Sequence, residues 1–227
     1  MINRPEDFAL LPFEHGVLYN NVFAKGGIQN AFQQVFVDGN QFGWEWDWPE
    51  NSGPSIKTYP EVILGRSPWS KAESGRRLPC ALENLHDVLD FDFNTRAEGS
   101  WCGSFDFWIT RNANPAAKDI ACNLCIWEQR EQLEGAYRGS RETVTIGGRT
   151  YQAVFETPAD QPAKTWNTLF LIDAEPRSQG SLALHPFMEL LMARGLAKPD
   201  HFLATAELGN EVAYGKGRTV VHKFGLR

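Results

Sequence analysis

The sequence predicts an all-β, antiparallel domain of sandwich or barrel type with a single short helix. Three observations predict it: apolar residues recur mostly with period two, turn signals interrupt them at short intervals, and one segment alone has helical spacing. Across Ala31–Val37, Val35 and Val37 alternate with Gln34, Phe36 and Asp38, and further on Trp44, Trp46 and Trp48 alternate with Glu45 and Asp47. The same pattern predicts strands at Ile56–Leu64, Val88–Asn94, Ser100–Thr110, Ile120–Glu128, Thr143–Ile146 and Tyr151–Glu156, then at Thr165–Ile172, Phe202–Glu211 and Thr219–Phe224. Asp38-Gly39-Asn40, Asn51-Ser52-Gly53-Pro54 and Gly147-Gly148 supply turns between them. About a dozen short strands at this spacing indicate a sandwich or barrel. In Leu184–Arg194, Leu184, Phe187, Met188, Leu191 and Met192 recur at three- and four-residue steps. Pro186 suits a first helical turn and Gly195 a C-terminal cap, so this helix is expected to pack its apolar stripe on a sheet.

No repeat, low-complexity tract or charged linker divides the 227 residues, and 1–227 is expected to be one domain, a monomer. Hydrophobic residues at 42% and charged residues at 22% suffice for a substantial core. A net charge of -6 argues against sequence-independent nucleic-acid binding, which needs a basic footprint. No run approaches the roughly 20 apolar residues that span a bilayer, so no membrane partner is expected. Met1-Ile2-Asn3-Arg4-Pro5-Glu6 lacks the apolar centre of a signal peptide. The expected location is outside the cell or in the periplasm if a leader has been removed, and the cytoplasm otherwise. Cys122 and Cys125 form a C-x-x-C, yet residues three apart on a strand face opposite ways and no second ligand pair accompanies them. Neither a metal nor another cofactor is expected. Fifteen Phe and eight Trp mostly serve the core, and the remainder offer flat faces on which sugar rings stack.

In an all-β sandwich the chemistry to seek first is a pair of carboxylates, because glycoside hydrolysis needs an acid for the leaving oxygen and a second group to attack or to activate water. Glu207 and Glu211 share one strand face, roughly 13 Å apart. Asp106 lies between Phe105 and Phe107, where a carboxylate is costly unless paired or functional. Taken alone, Asp106 fits a hydrogen-bonded structural role as well as a functional one, and Glu207 and Glu211 fit a solvated face.

A series of short segments, in order along nearly the whole chain, resembles glycoside hydrolase family 12, the endoglucanases and xyloglucanases. These are Tyr19-Asn20-Asn21-Val22-Phe23, Gly43-Trp44-Glu45-Trp46-Asp47-Trp48 and Lys57-Thr58-Tyr59-Pro60-Glu61-Val62, followed by Pro68-Trp69 and Leu78-Pro79. Phe105-Asp106-Phe107-Trp108-Ile109-Thr110, His185-Pro186-Phe187 and Glu207-Leu208-Gly209-Asn210-Glu211-Val212 complete the series. The resemblance implies a bent two-sheet β-jelly roll, a concanavalin-like sandwich, acting on a β-linked polysaccharide or oligosaccharide of the β-1,4-glucan or xyloglucan type. It implies Glu211 as acid/base and Asn21, Phe23, Trp46, Tyr59 and Trp127 as sugar-binding residues, with Phe23 in place of the family's Trp. It also implies that Asp106 hydrogen-bonds to the residue at position 123.

The departure falls at the nucleophile. The family's E-[IV]-M-I-W strand is matched by Asn123-Leu124-Cys125-Ile126-Trp127, which puts Asn123 where the attacking carboxylate belongs. Glu128 lies on the opposite face and does not replace it. A neutral amide cannot form a glycosyl-enzyme ester. Four readings stand at this point. Asn123 is a replacement that traps substrate, although Cys125 beside it suggests natural divergence. Asn123 orients a water or a substrate acetamido group while Glu211 protonates the leaving group. The protein is a polysaccharide lyase on a uronate-containing glycan, with Tyr59 as base and a cation from Lys57, Arg66 or Arg111 near Asn123. Or it binds polysaccharide without catalysis.

Overall fold

Phe91 and Phe105 belong to one unbroken strand, in which fourteen residues of straight β-structure would part them by about 47 Å. Their rings lie 4.9 Å apart, so the strand folds back over the core it covers. This is a computed structural model, describing residues 1–75, 77–133, 139–160 and 164–227. In chain order the strands are β1 (Ile2–Arg4), β2 (Leu10–Phe13), β3 (Gly16–Tyr19), β4 (Phe32–Asp38), β5 (Gln41–Trp48), β6 (Glu61–Gly65) and β7 (Cys80–Ala81). They continue with β8 (Val88–Thr110), β9 (Ile120–Glu131), β10 (Ser140–Ile146), β11 (Arg149–Glu156), β12 (Asn167–Asp173), β13 (Gln179–Ala183) and, after helix α1 (His185–Ala193), β14 (Phe202–Leu226).

β8 and β14 pair antiparallel from Phe202↔Thr110 to Leu226↔Leu89 and form the spine of both layers. One layer runs β1-β4-β5-β14-β8-β13 and uses the second half of β14 with the first half of β8. The other runs β2-β3-β6-β14-β8-β9-β12-β11-β10 and uses the opposite halves. The core lies between: Trp44, Trp46 and Trp48 face it from the first layer, and Phe105, Phe107, Leu124, Ile126, Leu169 and Leu171 from the second. Helix α1 closes one side with Phe187, Met188 and Leu191.

Local sequence explains the joints. Gly147 (φ 57°) and Gly148 (φ 79°) form the two-residue turn of the β10–β11 hairpin, where both positions need the left-handed region. A bulge between Val212 and Tyr214 shifts the side-chain phase of β14, so that Ala206 and Leu208 face the core before it and Thr219 and Val221 after it. Asn210 anchors the join from inside: its Oδ1 accepts from Trp44 Nε1 and Thr219 Oγ1, both at 2.6 Å, and its Nδ2 donates to the Cys102 carbonyl at 3.1 Å.

The expected architecture is the observed one, with three differences. Val88–Asn94 and Ser100–Thr110 are one strand, as are Phe202–Glu211 and Thr219–Phe224. Ile56–Leu64 is regular only from Glu61, because Thr58 makes isolated bridges to Val22 and Val212. Trp46, expected to bind sugar, is 1% exposed and packs in the core. Replacing Trp46 by Ala should lower the unfolding free energy by about 3–5 kcal/mol, seen as a drop in denaturant midpoint with little change in slope.

Candidate active site

The face of the longer layer turned away from the core carries the acids, and strand register determines which of them meet. Glu207 on β14 stands opposite Asp106 on β8, which stands opposite Cys125 on β9. Two positions along, Trp108 stands opposite Asn123, which neighbours Thr168 on β12 and then Glu156 on β11. Glu211 lies further along β14, opposite Cys102. Apolar clusters flank the acids, with Val17, Ile63 and Ala72 on one side and Cys125, Trp127, Val154 and Phe170 on the other.

The face is a trough whose walls meet over one end. Trp69 follows β6 and Trp166 precedes β12, strands four spacings or about 19 Å apart in the sheet. Their rings are nevertheless 5.0 Å apart, and each contacts Trp108 on the floor, at 5.3 and 5.8 Å. Trp69, 46% exposed, presents an open ring at this end.

Asn123 Nδ2 donates to Asp106 Oδ1 at 3.2 Å and lies 3.5 Å from the Phe107 carbonyl, which leaves its Oδ1 without a donor among the described residues. Burial raises the Asp106 carboxyl, against the hydrogen bonds from Asn123 and Cys125 and the nearby Lys164. Glu211 Oε2 accepts from the Cys102 thiol at 3.4 Å. Burial, and then the neighbouring Asp106, push its carboxyl up to about 8, so at neutral pH it holds a proton to give. A second pair lies beside it. Glu61 and Glu207 neighbour each other, burial and that neighbour raise Glu61 well above the carboxylate range, and burial raises Glu207 to about 7. Asn21 Nδ2 donates to Glu61 Oε1 at 3.2 Å and Trp108 Nε1 to Glu207 Oε2 at 3.0 Å.

The structure therefore brings Glu211, Asp106 and Asn123 to one face, with Asn21 in contact through Glu61. Tyr59 lies there too, its ring against Gly209, where a Cβ would come within 2.7 Å of it. Its hydroxyl donates to the Ser104 carbonyl at 3.1 Å, and burial raises it well above the ordinary tyrosine value, which keeps it protonated. Trp127 faces the trough but is 1% exposed, packed edge-on to Phe170. Phe23 is 52% exposed at the surface. Glu128 faces the other way, paired with Arg177. Cys122 and Cys125 point to opposite faces, as their spacing requires.

Among the described residues, Lys164 is a cation beside these acids, while the three expected suppliers are engaged elsewhere. Lys57 Nζ donates to the carbonyls of Gly53, Ser55 and Ala213, Arg111 to that of Ile120, and Arg66 pairs with Glu73. Lys164 bridges to Glu156 at 3.7 Å and lies 5.7 Å from the centre of the Phe170 ring. Sequence reasoning missed Lys164, Glu156 and Cys102. Strand alternation could have placed Glu156 and Cys102 on this face, but only with the register in hand. A cavity of about 640 Å³ lies elsewhere, along Glu45, Arg96, Glu98 and Arg218, and contains none of these groups.

No protein-family model matches this chain, and no curated protein does. Solved structures match it throughout. The native family 12 xyloglucanase from Bacillus licheniformis superposes with a TM-score of 0.88 at 19% identity, over 100% of this chain and 99% of that one. The endoglucanase Cel12A from Rhodothermus marinus gives 0.83 at 20%, over 100% and 98%. The endo-1,4-β-glucanase CelB2 gives 0.80 at 22%, over 99% and 97%. The chain has their bent jelly-roll fold.

Glu207 and Glu211 keep protons in the folded chain that an ordinary carboxyl, near 4.5, has released when unfolded. The folded state then binds more protons between about 4.5 and 8, so the stability these groups contribute is full below that window and is lost as pH rises through it. Glu211→Gln should melt above the parent at about pH 9, by an amount on the order of 1–3 kcal/mol after screening at its partly exposed edge, and the gap should close towards pH 5. Thermal melts of both proteins across that range test the sign.

Proposed function

We propose that this chain is a glycoside hydrolase that cleaves a β-linked polysaccharide of the β-1,4-glucan or xyloglucan type, with Glu211 as the general acid. The observation that carries the reading is Glu211 itself: a carboxyl raised to about 8, held by the Cys102 thiol on the same trough face as Asp106 and Asn123. A carboxyl protonated at neutral pH can protonate the glycosidic oxygen as its bond to the anomeric carbon breaks. The fold supports the substrate class, and the Trp69 ring supplies an apolar face for a sugar. Asn123 has no carboxylate with which to form a covalent intermediate. Its role here is to hold Asp106 and to direct its free Oδ1 towards a water or a substrate hydroxyl.

Lys164 favours a second reading, elimination on a uronate-containing glycan, because its ammonium could neutralise a uronic carboxylate. Tyr59, buried and raised, is held protonated, which counts against it as the base that such a reaction needs. The two readings differ in product. Incubation with β-1,4-glucan, xyloglucan and polyuronates should release reducing ends from the neutral glucans without the ultraviolet absorbance of an unsaturated uronate. Absorbance from a polyuronate would establish elimination instead, and no product from any of them would leave binding. With the active substrate, Glu211→Gln should lower kcat by at least about 100-fold while the chain remains folded. Near-parental turnover would remove Glu211 from the chemistry.

A further inference from the structure

We propose that Glu156 is the second carboxylate of this site, the general base that activates water opposite Glu211. The proposal rests on the hydrolase reading above. Register is its foundation. Asn123 neighbours Thr168 on β12, and Thr168 neighbours Glu156 on β11, so the side chains of all three lie in one row on the trough face. Two strand spacings, about 10 Å, part Asn123 from Glu156 at the backbone. Side chains on a trough converge, so the Glu156 carboxylate and the Asn123 carboxamide face each other across Thr168.

Three observations indicate that a water belongs between them. Thr168 Oγ1 is buried there without a hydrogen-bond partner among the described residues, and a buried hydroxyl calls for one. Asn123 gives its Nδ2 to Asp106, and its Oδ1 remains to accept from a water. Glu156 is itself 2% exposed, in ion pair with Lys164 at 3.7 Å, an arrangement costly to bury without use. Its charge also contributes to raising Glu211, which puts the two carboxyl groups in electrostatic reach of each other.

Two carboxyl groups with a water between them are the requirement of single displacement, in which they stand about 6.5–9.5 Å apart. The water oxygen bonds to the anomeric carbon as the bond from that carbon to the leaving oxygen breaks. The leaving oxygen takes the Glu211 proton, and the water's proton passes to Glu156. One water is consumed, two sugar ends form, and the anomeric configuration inverts. The carboxylate absent at position 123 is thus supplied two strands away, and Asn123 changes from attacking group to water holder.

The test uses the full chain and the glucan it cleaves. Proton NMR of the first product should show the α anomer from a β-linked substrate. Glu156→Gln should lower kcat by at least about 100-fold with KM little changed. Glu156→Ala, confirmed as folded by circular dichroism, should regain activity with azide and yield the α-glycosyl azide. First product in the β configuration, or a Glu156→Gln variant within a few-fold of the parent, overturns the role of Glu156 while the hydrolase reading stands. A folded Glu156→Ala variant that azide does not restore also overturns it. A parent chain that cleaves no glycan overturns both.

Discussion

The ladder between β8 and β14 is the constraint on which the rest depends. Each strand is long enough to serve both layers, and their pairing is nearly continuous from Thr110↔Phe202 to Leu89↔Leu226. Folding that ribbon over forces its aromatic residues together, which is why Phe91, Phe93 and Phe105 meet although they are distant along the strand. One side of the ribbon then becomes the core, and the other side of its inner half becomes the trough floor. Each residue that packs the core therefore positions a neighbour on the trough: Phe105 and Phe107 hold Asp106, and Asn210, tied to Trp44 and Thr219, holds Glu211. Core and site are two faces of the same hydrogen-bonded ribbon.

Much of this was legible in the sequence, because side-chain alternation has one period and one consequence. It put Asp106 between two core aromatics, Asn123 and Trp127 on one face, and Glu128 on the other. It failed where a strand leaves the sandwich. Thr95-Arg96-Ala97-Glu98-Gly99 has no apolar alternation to reveal it, and β8 is continuous there because β14 supplies its hydrogen bonds. The sugar-binding place of Trp46 came from the resemblance, whereas alternation put it with Trp44 and Trp48 on one face, and nothing local says which face is the core. Lys164 and Glu156 were invisible because their importance comes from register across β11, β12 and β9, a property of three strands distant in sequence.

The trough floor concentrates acids in a way that only protonation and hydrogen bonding can sustain. Glu61, Glu207, Glu211 and Asp106 are all raised, chiefly by burial. Their donors are neutral: the Asn21 and Asn123 amides, the Trp108 indole and the thiols of Cys102 and Cys125, themselves raised by burial and so kept as thiols. Neutral donors hold a carboxyl in place while adding little charge to compensate it, and so permit the raised values that proton transfer requires.

Position 123 follows the same logic. A glutamate there would add another acid beside Asp106, and the two could approach within hydrogen-bonding distance only by sharing a proton. Asn123 supplies an N–H instead and binds Asp106 at 3.2 Å without a proton to share. The charge not spent at position 123 can then reside where a cation meets it, at Glu156 beside Lys164. Beside Lys164, the buried Glu156 carboxylate has an ammonium to offset its burial. Single displacement, as proposed, needs a gap between acid and base wide enough to admit a water. On the proposed reading, Asn123 and an acid two strands away would let the trough perform single displacement on the ribbon that builds it.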